Sequence, residues 1–285
     1  MSKKCQEYVT SCGGSDSSLS LFDIATSRSC VTSSKTSTRS LLDEDRLALT
    51  YCATQVQPVT ESMIPHLLYE KYYHGVQQDA SEFLQRVLDS GTESPSLALS
   101  FRGTYEQTLH CAQACHGARA APLQTFQNVI LQLKKPNATV VRNVQEALDE
   151  YMPPEYVDDN FKWTCPVCGD TEAPAKIHHI KSTPDVLFVL LCRWDAADDA
   201  GAILDAIDVS TQVLFGGAEY QLSSNVMHQG DSPRNGHYVS VLRHVTSNEE
   251  WWYYDDAIAR RILPEELRSK PNDKSYVLFY EKIRS

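Results

Sequence analysis

The sequence contains no apolar run of the roughly 18 to 20 residues that a membrane-spanning helix requires. Residues 1–12 are polar and lack the apolar segment of a secretory signal peptide. Cations are scarce, since 26 Lys and Arg stand against 37 Asp and Glu, which gives a net charge of −11. Because phosphate binding needs clustered cations, we expect neither a membrane nor a nucleic-acid partner, and a cytosolic or nuclear location.

Apolar residues are sparse at one end of the chain only. Half of the residues in 11–40 are Ser or Thr, and such a segment cannot offset its ordering entropy by burial. The remainder can build a sizeable core, because 42% of the 285 residues are hydrophobic. We therefore predict a disordered segment at 1–40 and one folded domain at 41–285.

Helical patterns come first in the chain, and strand patterns follow. Apolar spacings of three and four residues predict helices at 63–72 and 79–88, with a third at 143–151. Short β-type runs separated by Gly, Pro or Asp turns predict strands at 124–133, 186–194, 220–227, 237–245, 251–254 and 276–283. This order indicates an α+β fold.

Two cysteine pairs have the spacing of metal ligands: Cys111 with Cys115, and Cys165 with Cys168. The second pair lies in a C-P-x-C-G turn, which can direct both sulfurs toward one ion. Four thiolates suit a tetrahedral zinc ion, so we predict a structural zinc site. His110 or His116 could replace a sulfur of the first pair, and the alternative is four free thiols in the core.

A histidine and two acids late in the chain have the pattern of a proton-transfer pair. His237 begins a predicted strand, and Asp255 and Asp256 end an aromatic strand about 18 residues later. A hairpin of this length would lay the acid beside the imidazole. A carboxylate bonded to Nδ1 would leave Nε2 free to activate a nucleophile. The alternatives are a structural histidine and a solvated Asp-Asp turn.

Seven ordered blocks of the sequence resemble the ubiquitin-specific protease family. The most specific block, VQQDASEFLQRVLD at 76–89, resembles the family's Gln-Gln-Asp-Ala-x-Glu-Phe-Leu helix. The other blocks lie at 101–115, 126–133 with 143–168, 182–194, 220–243, 251–256 and 275–283. The resemblance implies a papain-like α+β fold with a helical thumb, a β palm and zinc-ribbon β fingers at about 101–180.

The resemblance also implies an activity, thiol-dependent cleavage of ubiquitin from protein conjugates, with ubiquitin and ubiquitinated proteins as partners. On the family's motifs His237 is the general base, Asp255 is its orienting partner and Asp256 lies behind them. Gln78 and Asp79 would line the channel for the ubiquitin C-terminal tail.

The same resemblance implies roles for two further segments. Residues 230–236 would form a flexible blocking loop above the active site. The acidic run 146–159 lies in the fingers, where it would contact ubiquitin; the alternative is a solvated face.

The family's Gly-x-x-Asn-x-Gly-Asn-Thr-Cys-Tyr box, which supplies the nucleophile, has no counterpart before residue 77. The cysteines of this stretch are Cys5, Cys12, Cys30 and Cys52. All of them lack the Asn, and position alone favours Cys5. We therefore expect an incomplete thumb, in a truncated copy or a catalytically dead ubiquitin-binding pseudo-protease, with little or no hydrolase activity. Cys192 lies in an apolar strand and is expected in the core.

Overall fold

The structure is a computed structural model. It describes residues 78–90, 95–113, 115, 117–135, 139–157, 163–172, 174–193, 203, 205–232, 235–243, 250–256, 258–263, 265–266 and 274–284. The segment 1–40 and the predicted helix at 63–72 lie outside these residues.

The described residues form three helices and thirteen strands. The helices are α1 (Ala80–Ser90), α2 (Pro95–Ser100) and α3 (Val144–Asp149). The strands are β1 (Gly103–His110), β2 (Ala118–Ala120), β3 (Gln124–Phe126), β4 (Val129–Gln132), β5 (Glu155–Tyr156), β6 (Ala175–Ser182), β7 (Val186–Cys192), β8 (Gln212–Phe215), β9 (Ala218–Ser232), β10 (Asn235–Arg243), β11 (Trp251–Asp255), β12 (Ile258–Ile262) and β13 (Ser275–Lys282). The predicted α+β class is confirmed.

The larger sheet contains eight strands, in the order β12-β11-β10-β9-β13-β7-β4, with β8 paired to β9. Strand β4 runs parallel to β7, and the other pairs are antiparallel. We call this sheet the palm. No helix among the described residues is long and apolar enough to cross a lipid bilayer.

Side chains on both faces of the palm are buried, which explains the continuous apolar run of β7. Leu187 and Leu191 point to the face where α3 packs with Val144 and Leu148. Phe188 points to the opposite face, against the apolar stripe of α1. Alternate residues of a strand point to opposite faces, so a strand buried on both sides has few polar positions.

The smaller sheet, which we call the fingers, contains five strands in the order β2-β1-β6-β5, with β3 paired to β1. Its two long strands, β1 and β6, are mostly half-exposed along their length. The single strand predicted at 124–133 is wrong, because this segment divides into β3 in the fingers and β4 in the palm. Asn128 lies at the junction, where its side-chain amide donates to Gln85 of α1 at 3.0 Å.

A flexible blocking loop was expected at 230–236, but the residues described in this segment belong to strands. Strand β9 extends through Ser232, and β10 starts at Asn235, directly opposite it. The two glycines of this segment explain the close approach of the strands. A Cβ on Gly230 would lie 2.3 Å from the carbonyl oxygen of Asn235. The segment is therefore the end of a β-hairpin.

Candidate functional site

The imidazole of His237 and the carboxylate of Asp255 are in direct contact. His237 is the third residue of β10, and Asp255 is the last of β11; the antiparallel pairing of Ser240 with Tyr254 brings the two ends together. Nε2 of His237 lies 2.6 Å from Oδ1 of Asp255. Both side chains are about one third exposed, at 37% and 32%, so the pair is open to a substrate.

The ring nitrogen that faces the acid differs from the sequence expectation. The expectation placed Nδ1 against the carboxylate, whereas the structure places Nε2 there. An ionised carboxylate only accepts hydrogen bonds, so the proton resides on Nε2. Nδ1 of His237 then carries the lone pair and faces away from Asp255. The nitrogen that can accept a proton from a nucleophile is therefore Nδ1.

Asp256 lies beside this pair in a less common backbone conformation. Its φ of 46° is in the left-handed region, which Asp adopts more readily than most residues. The strand β11 ends at Asp255, so this turn directs the next carboxylate back toward the site. One ligand atom from each of His237, Asp255 and Asp256 lies within 4.8 Å of the others. The structure thus brings together the three residues that the sequence grouped.

Gln78 and Asp79 lie at the start of α1. Asp79 is half-buried, and its Oδ1 accepts hydrogen bonds from the backbone N–H groups of Ser81 and Glu82, so it caps the helix. Tyr238, the residue after His237, accepts a long hydrogen bond of 3.4 Å from the N–H of Ala80. The N-terminus of α1 is thereby tied to the strand that carries the histidine.

Sequence reasoning missed three buried side chains around this helix end: His228, Tyr238 and Tyr276. The rings of Tyr238 and Tyr276 lie 4.9 Å and 6.4 Å from that of His228. The hydroxyl of Tyr276 donates to Oδ2 of Asp79 at 2.6 Å. One signal was available, because His228 lies two residues after the buried Val226 in β9, and alternate residues of a strand share a face.

The four predicted cysteine ligands converge at the tip of the fingers. Cys111 and Cys115 lie in the connection between β1 and β2, and Cys165 and Cys168 lie in the turn before β6. Their sulfur atoms lie 3.7 Å apart for Cys111 and Cys168 and 3.5 Å apart for Cys115 and Cys165. Sulfurs at 2.3 Å from a tetrahedral zinc ion are separated by about 3.8 Å. The cluster could therefore hold zinc.

The surroundings of the sulfurs shift the pKa values of Cys165 and Cys111 in opposite directions. Burial opposes ionisation of Cys165, but the backbone N–H groups of Cys168 and Val167 and the thiols of Cys115 and Cys168 together outweigh it and lower the pKa of Cys165 to about 6. Desolvation raises the pKa of Cys111 to about 12. Thiolates are the form that binds metal, and Cys165 is the thiol that ionises more readily of these two.

A glycine limits the space inside the cluster. A Cβ on Gly117 would lie 2.3 Å from the sulfur of Cys165 and 3.3 Å from that of Cys115. The four cysteines complete a ligand set without His110, which the sequence offered as a substitute. His116 lies outside the described residues.

The acidic run at 146–159 is partly neutralised by nearby cations. Lys135 lies 2.8 Å from Glu146 and 3.2 Å from Glu150. Its hydrogen bond lowers the pKa of Glu146 to about 2. Glu155 forms an ion pair with Lys176. The described part of the run, 146–157, therefore presents a weaker negative surface than its sequence indicates, and 158–159 lie outside the described residues.

The remaining cysteines fall into two groups. Cys5, Cys12, Cys30 and Cys52 lie outside the described residues. Cys192 ends β7 and is half-buried in the palm, apart from the four-cysteine cluster.

Comparison with known proteins identifies the chain's relatives. The family model described as ubiquitin carboxyl-terminal hydrolase matches residues 42–280. Ubiquitin carboxyl-terminal hydrolase 26 of Oryza sativa subsp. japonica is 24% identical over 224 residues, which cover 71% of this chain and 20% of the relative. Ubiquitin carboxyl-terminal hydrolase 25 of Arabidopsis thaliana is 24% identical over 241 residues, covering 75% of this chain and 34% of the relative. The chain thus spans about one third or less of these relatives.

Solved structures show the same fold. The SAGA Ubp8/Sgf11/Sus1/Sgf73 DUB module bound to ubiquitin aldehyde contains a chain that matches with a TM-score of 0.67 and 19% identity, over 99% of this chain and 63% of that chain. A form of the module with a substituted Ubp8, bound to monoubiquitin, matches with a TM-score of 0.65 and 21% identity, over 84% of this chain and 53% of that chain. These likenesses confirm the fold expected from the sequence.

Proposed function

Because the chain belongs to the ubiquitin carboxyl-terminal hydrolase family, we propose that it hydrolyses the bond between the ubiquitin C-terminus and an amine, with a cysteine thiol as the nucleophile. The observation that carries the proposal is the 2.6 Å contact between Nε2 of His237 and Oδ1 of Asp255. This contact orients an imidazole whose second nitrogen can accept a thiol proton.

In the proposed reaction Nδ1 of His237 transfers protons in both halves, formation of a thioester and its hydrolysis. It first takes the thiol proton, and the thiolate attacks the carbonyl carbon at the ubiquitin C-terminus. The imidazolium then donates that proton to the leaving amine as the C–N bond breaks, which leaves a thioester. Water, deprotonated by the same nitrogen, hydrolyses the thioester and restores the thiol. Asp255 stabilises the imidazolium in both halves of the reaction, and Asp256 supports this arrangement from the adjacent turn.

The nucleophile in this proposal is one of the cysteines in residues 1–77: Cys5, Cys12, Cys30 or Cys52. Cys5 is the first to test, because the family's nucleophile precedes the Gln-Gln-Asp helix by a long segment. The ubiquitin tail would lie near Gln78 and Asp79, and its basic character suits the half-buried carboxylate of Asp79.

The proposal includes one structural zinc ion, held by the four cysteines of the fingers. Such an ion stabilises the turn that joins the strands, and four protein ligands leave it no position for a substrate. The function also implies ubiquitin and ubiquitinated proteins as partners, in the cytosol or the nucleus. Fractionation of cells that express a tagged chain would test the location.

The experiment is hydrolysis of a fluorogenic amide at the ubiquitin C-terminus, together with labelling by a ubiquitin probe that carries a C-terminal electrophile. Although the missing Cys box led us to expect little or no activity, membership of the hydrolase family favours turnover, and His237→Ala should lower it by at least about a thousandfold. Cys5→Ser should abolish both turnover and labelling if Cys5 is the nucleophile, and Cys192→Ser should leave both unchanged. Turnover that survives Cys5→Ser would direct the same test to Cys12, Cys30 and Cys52. Ubiquitin binding without turnover or labelling would overturn the hydrolase proposal and establish the pseudo-protease alternative.

A further inference from the structure

Two side chains at the start of α1, Asp79 and Ser81, contact the hydroxyl of Tyr276 at the start of β13, Asp79 at 2.6 Å and Ser81 at 3.4 Å. Asp79 is the residue before the helix, and Tyr276 is the second residue of β13; 197 residues separate them in the chain. The hydroxyl of Tyr276 donates to Oδ2 of Asp79 at 2.6 Å, which is the usual distance of a charge-assisted hydroxyl–carboxylate bond.

The two carboxylate oxygens of Asp79 have different hydrogen-bond partners. Oδ1 accepts from the N–H and the hydroxyl of Ser81, at 2.8 Å and 2.5 Å, and from the N–H of Glu82 at 2.9 Å. Each carboxylate oxygen has about two lone-pair sites, so Oδ1 is fully occupied by the helix cap. Oδ2 accepts from Tyr276 and retains room for one more donor. A substrate group can therefore bind Asp79 at Oδ2 without breaking the cap.

The hydroxyl of Tyr276 is held in place by its surroundings. The Tyr276 side chain is buried, with 6% of its surface exposed, and its ring lies 6.2 Å from that of Tyr238. The preceding residue is fixed as well, because the buried guanidinium of Arg193 donates to the carbonyl oxygen of Ser275 at 2.5 Å. Burial raises the pKa of Tyr276 far above its usual range, so the hydroxyl keeps its proton and remains a donor.

We propose that Tyr276 is a positioning residue, which holds Oδ2 of Asp79 in the orientation that binds a donor group of the ubiquitin C-terminal tail. The donor is a main-chain N–H or a basic side chain of that extended peptide. This inference rests on the proposed function. Without the Tyr276 hydroxyl, the helix cap at Oδ1 remains, but Oδ2 loses the contact outside α1 that directs it. Binding of the tail should weaken while α1 stays folded.

The test is steady-state hydrolysis of the ubiquitin C-terminal amide by Tyr276→Phe. This change removes one oxygen atom and keeps the buried ring. KM should rise about tenfold, the value of one hydrogen bond to a charged group, and kcat should stay within about twofold. The matched control is Tyr280→Phe, the same change on the same strand, where the hydroxyl donates to the carbonyl oxygen of Ser210 at 3.0 Å. The control should leave KM unchanged.

A double-variant cycle separates positioning from a general effect on packing. Asp79→Asn keeps an acceptor for the helix cap but replaces Oδ2 with a donor, so it should raise KM by at least as much as Tyr276→Phe. If Tyr276 acts through Asp79, Tyr276→Phe should add little to Asp79→Asn. Additive effects, or an unchanged KM in Tyr276→Phe, would overturn the inference.

A calorimetric measurement of ubiquitin affinity tests the role of Tyr276 independently of turnover. The Kd of Tyr276→Phe should rise about tenfold even if turnover is absent. Wild-type protein that neither binds nor cleaves ubiquitin would overturn the proposed function, and the inference with it. Wild-type binding with an equal Kd in Tyr276→Phe would overturn the inference alone.

Discussion

His228 is a neutral histidine enclosed by aromatic rings. Only 7% of its surface is exposed, and Tyr238 and Tyr276 pack against it. Burial lowers the pKa of His228, because a charged imidazole would lose its hydration. The negative charge of Asp79 raises the pKa of His228 and the positive charge of Lys274 lowers it, and burial has a larger effect than either charge.

This lowered pKa predicts a pH dependence of stability. The unfolded chain binds a proton at His228 near pH 6.5, whereas the folded protein resists protonation. The stability from the neutral ring is thus complete above about pH 6.5 and is lost as pH falls through the folded-state pKa. The free energy of unfolding in urea, measured between about pH 7.5 and 5, should therefore decrease toward the acidic end. His228→Gln should make this decrease shallower, and an equally steep decrease in His228→Gln would contradict the assignment to this residue.

Residue types and spacing were sufficient to predict that His237 and Asp255 meet, because a hairpin of this length brings its ends together. They could not predict which ring nitrogen faces the acid. That choice depends on how β10 and β11 are staggered, and the structure reports it as Nε2 to Oδ1. The pairing of Tyr276 with Asp79 was also beyond the sequence, because 197 residues separate the partners.

The hairpin formed by β9 and β10 carries His237. Near its end, the backbone of Gly236 packs so closely on His228 that there is no room for a side chain. Gly236 lies directly over the ring of His228, and a Cβ on Gly236 would lie 2.2 Å from its Nε2. This is far inside van der Waals contact, so a side chain at Gly236 must displace the imidazole or the strand. Because the next residue is His237, such a displacement would reach the candidate base.

Gly236→Ala should therefore reduce both stability and turnover. Overpacking of this kind costs about 1–3 kcal/mol, which urea unfolding would detect. Shortening the opposing side chain should relieve the clash, so the double variant Gly236→Ala with His228→Ser should recover part of the loss. The control is His228→Ser alone, which removes the opposing imidazole without adding a Cβ at Gly236. A double variant that is as impaired as the sum of the two single changes would contradict the steric explanation.

At the level of elements, the pattern of short β-type runs bounded by turn residues located five palm strands, β7, β9, β10, β11 and β13, but gave no prediction of β1, β2, β5, β6, β8 or β12. It failed at 124–133, where β3 and β4 are separated by Gln127 and Asn128 yet belong to different sheets. A change of sheet depends on partners that lie far away in the chain. Asn128 donates to Gln85 of α1 at 3.0 Å, and no local pattern indicates this contact.

The two sheets of the molecule are stabilised by different means. In the palm, β7 and β13 are almost entirely buried, with apolar side chains on both faces. In the fingers, β1 and β6 are mostly half-exposed, so burial of apolar surface contributes less per residue. The tip of the fingers instead joins two turns through four sulfur atoms. The fingers should therefore depend on a metal ion far more than the palm does.

This difference leads to a prediction for metal removal. Purified protein should contain one zinc per chain; Cys165→Ser should lose it, and Cys192→Ser, which changes a thiol outside the cluster, should retain it.

After chelation, amide hydrogen exchange in β1 and β6 should accelerate by at least about tenfold, because metal binding contributes directly to the folding free energy of such a site. Exchange in β7 and β13 should change little, because their protection comes from the palm core. Equal acceleration in both sheets would mean that the metal stabilises the whole domain as one unit. A zinc-free protein with undiminished protection in β1 would show that the half-exposed strands are stable by hydrogen bonding and packing alone, and that the four cysteines are thiols without a structural ion.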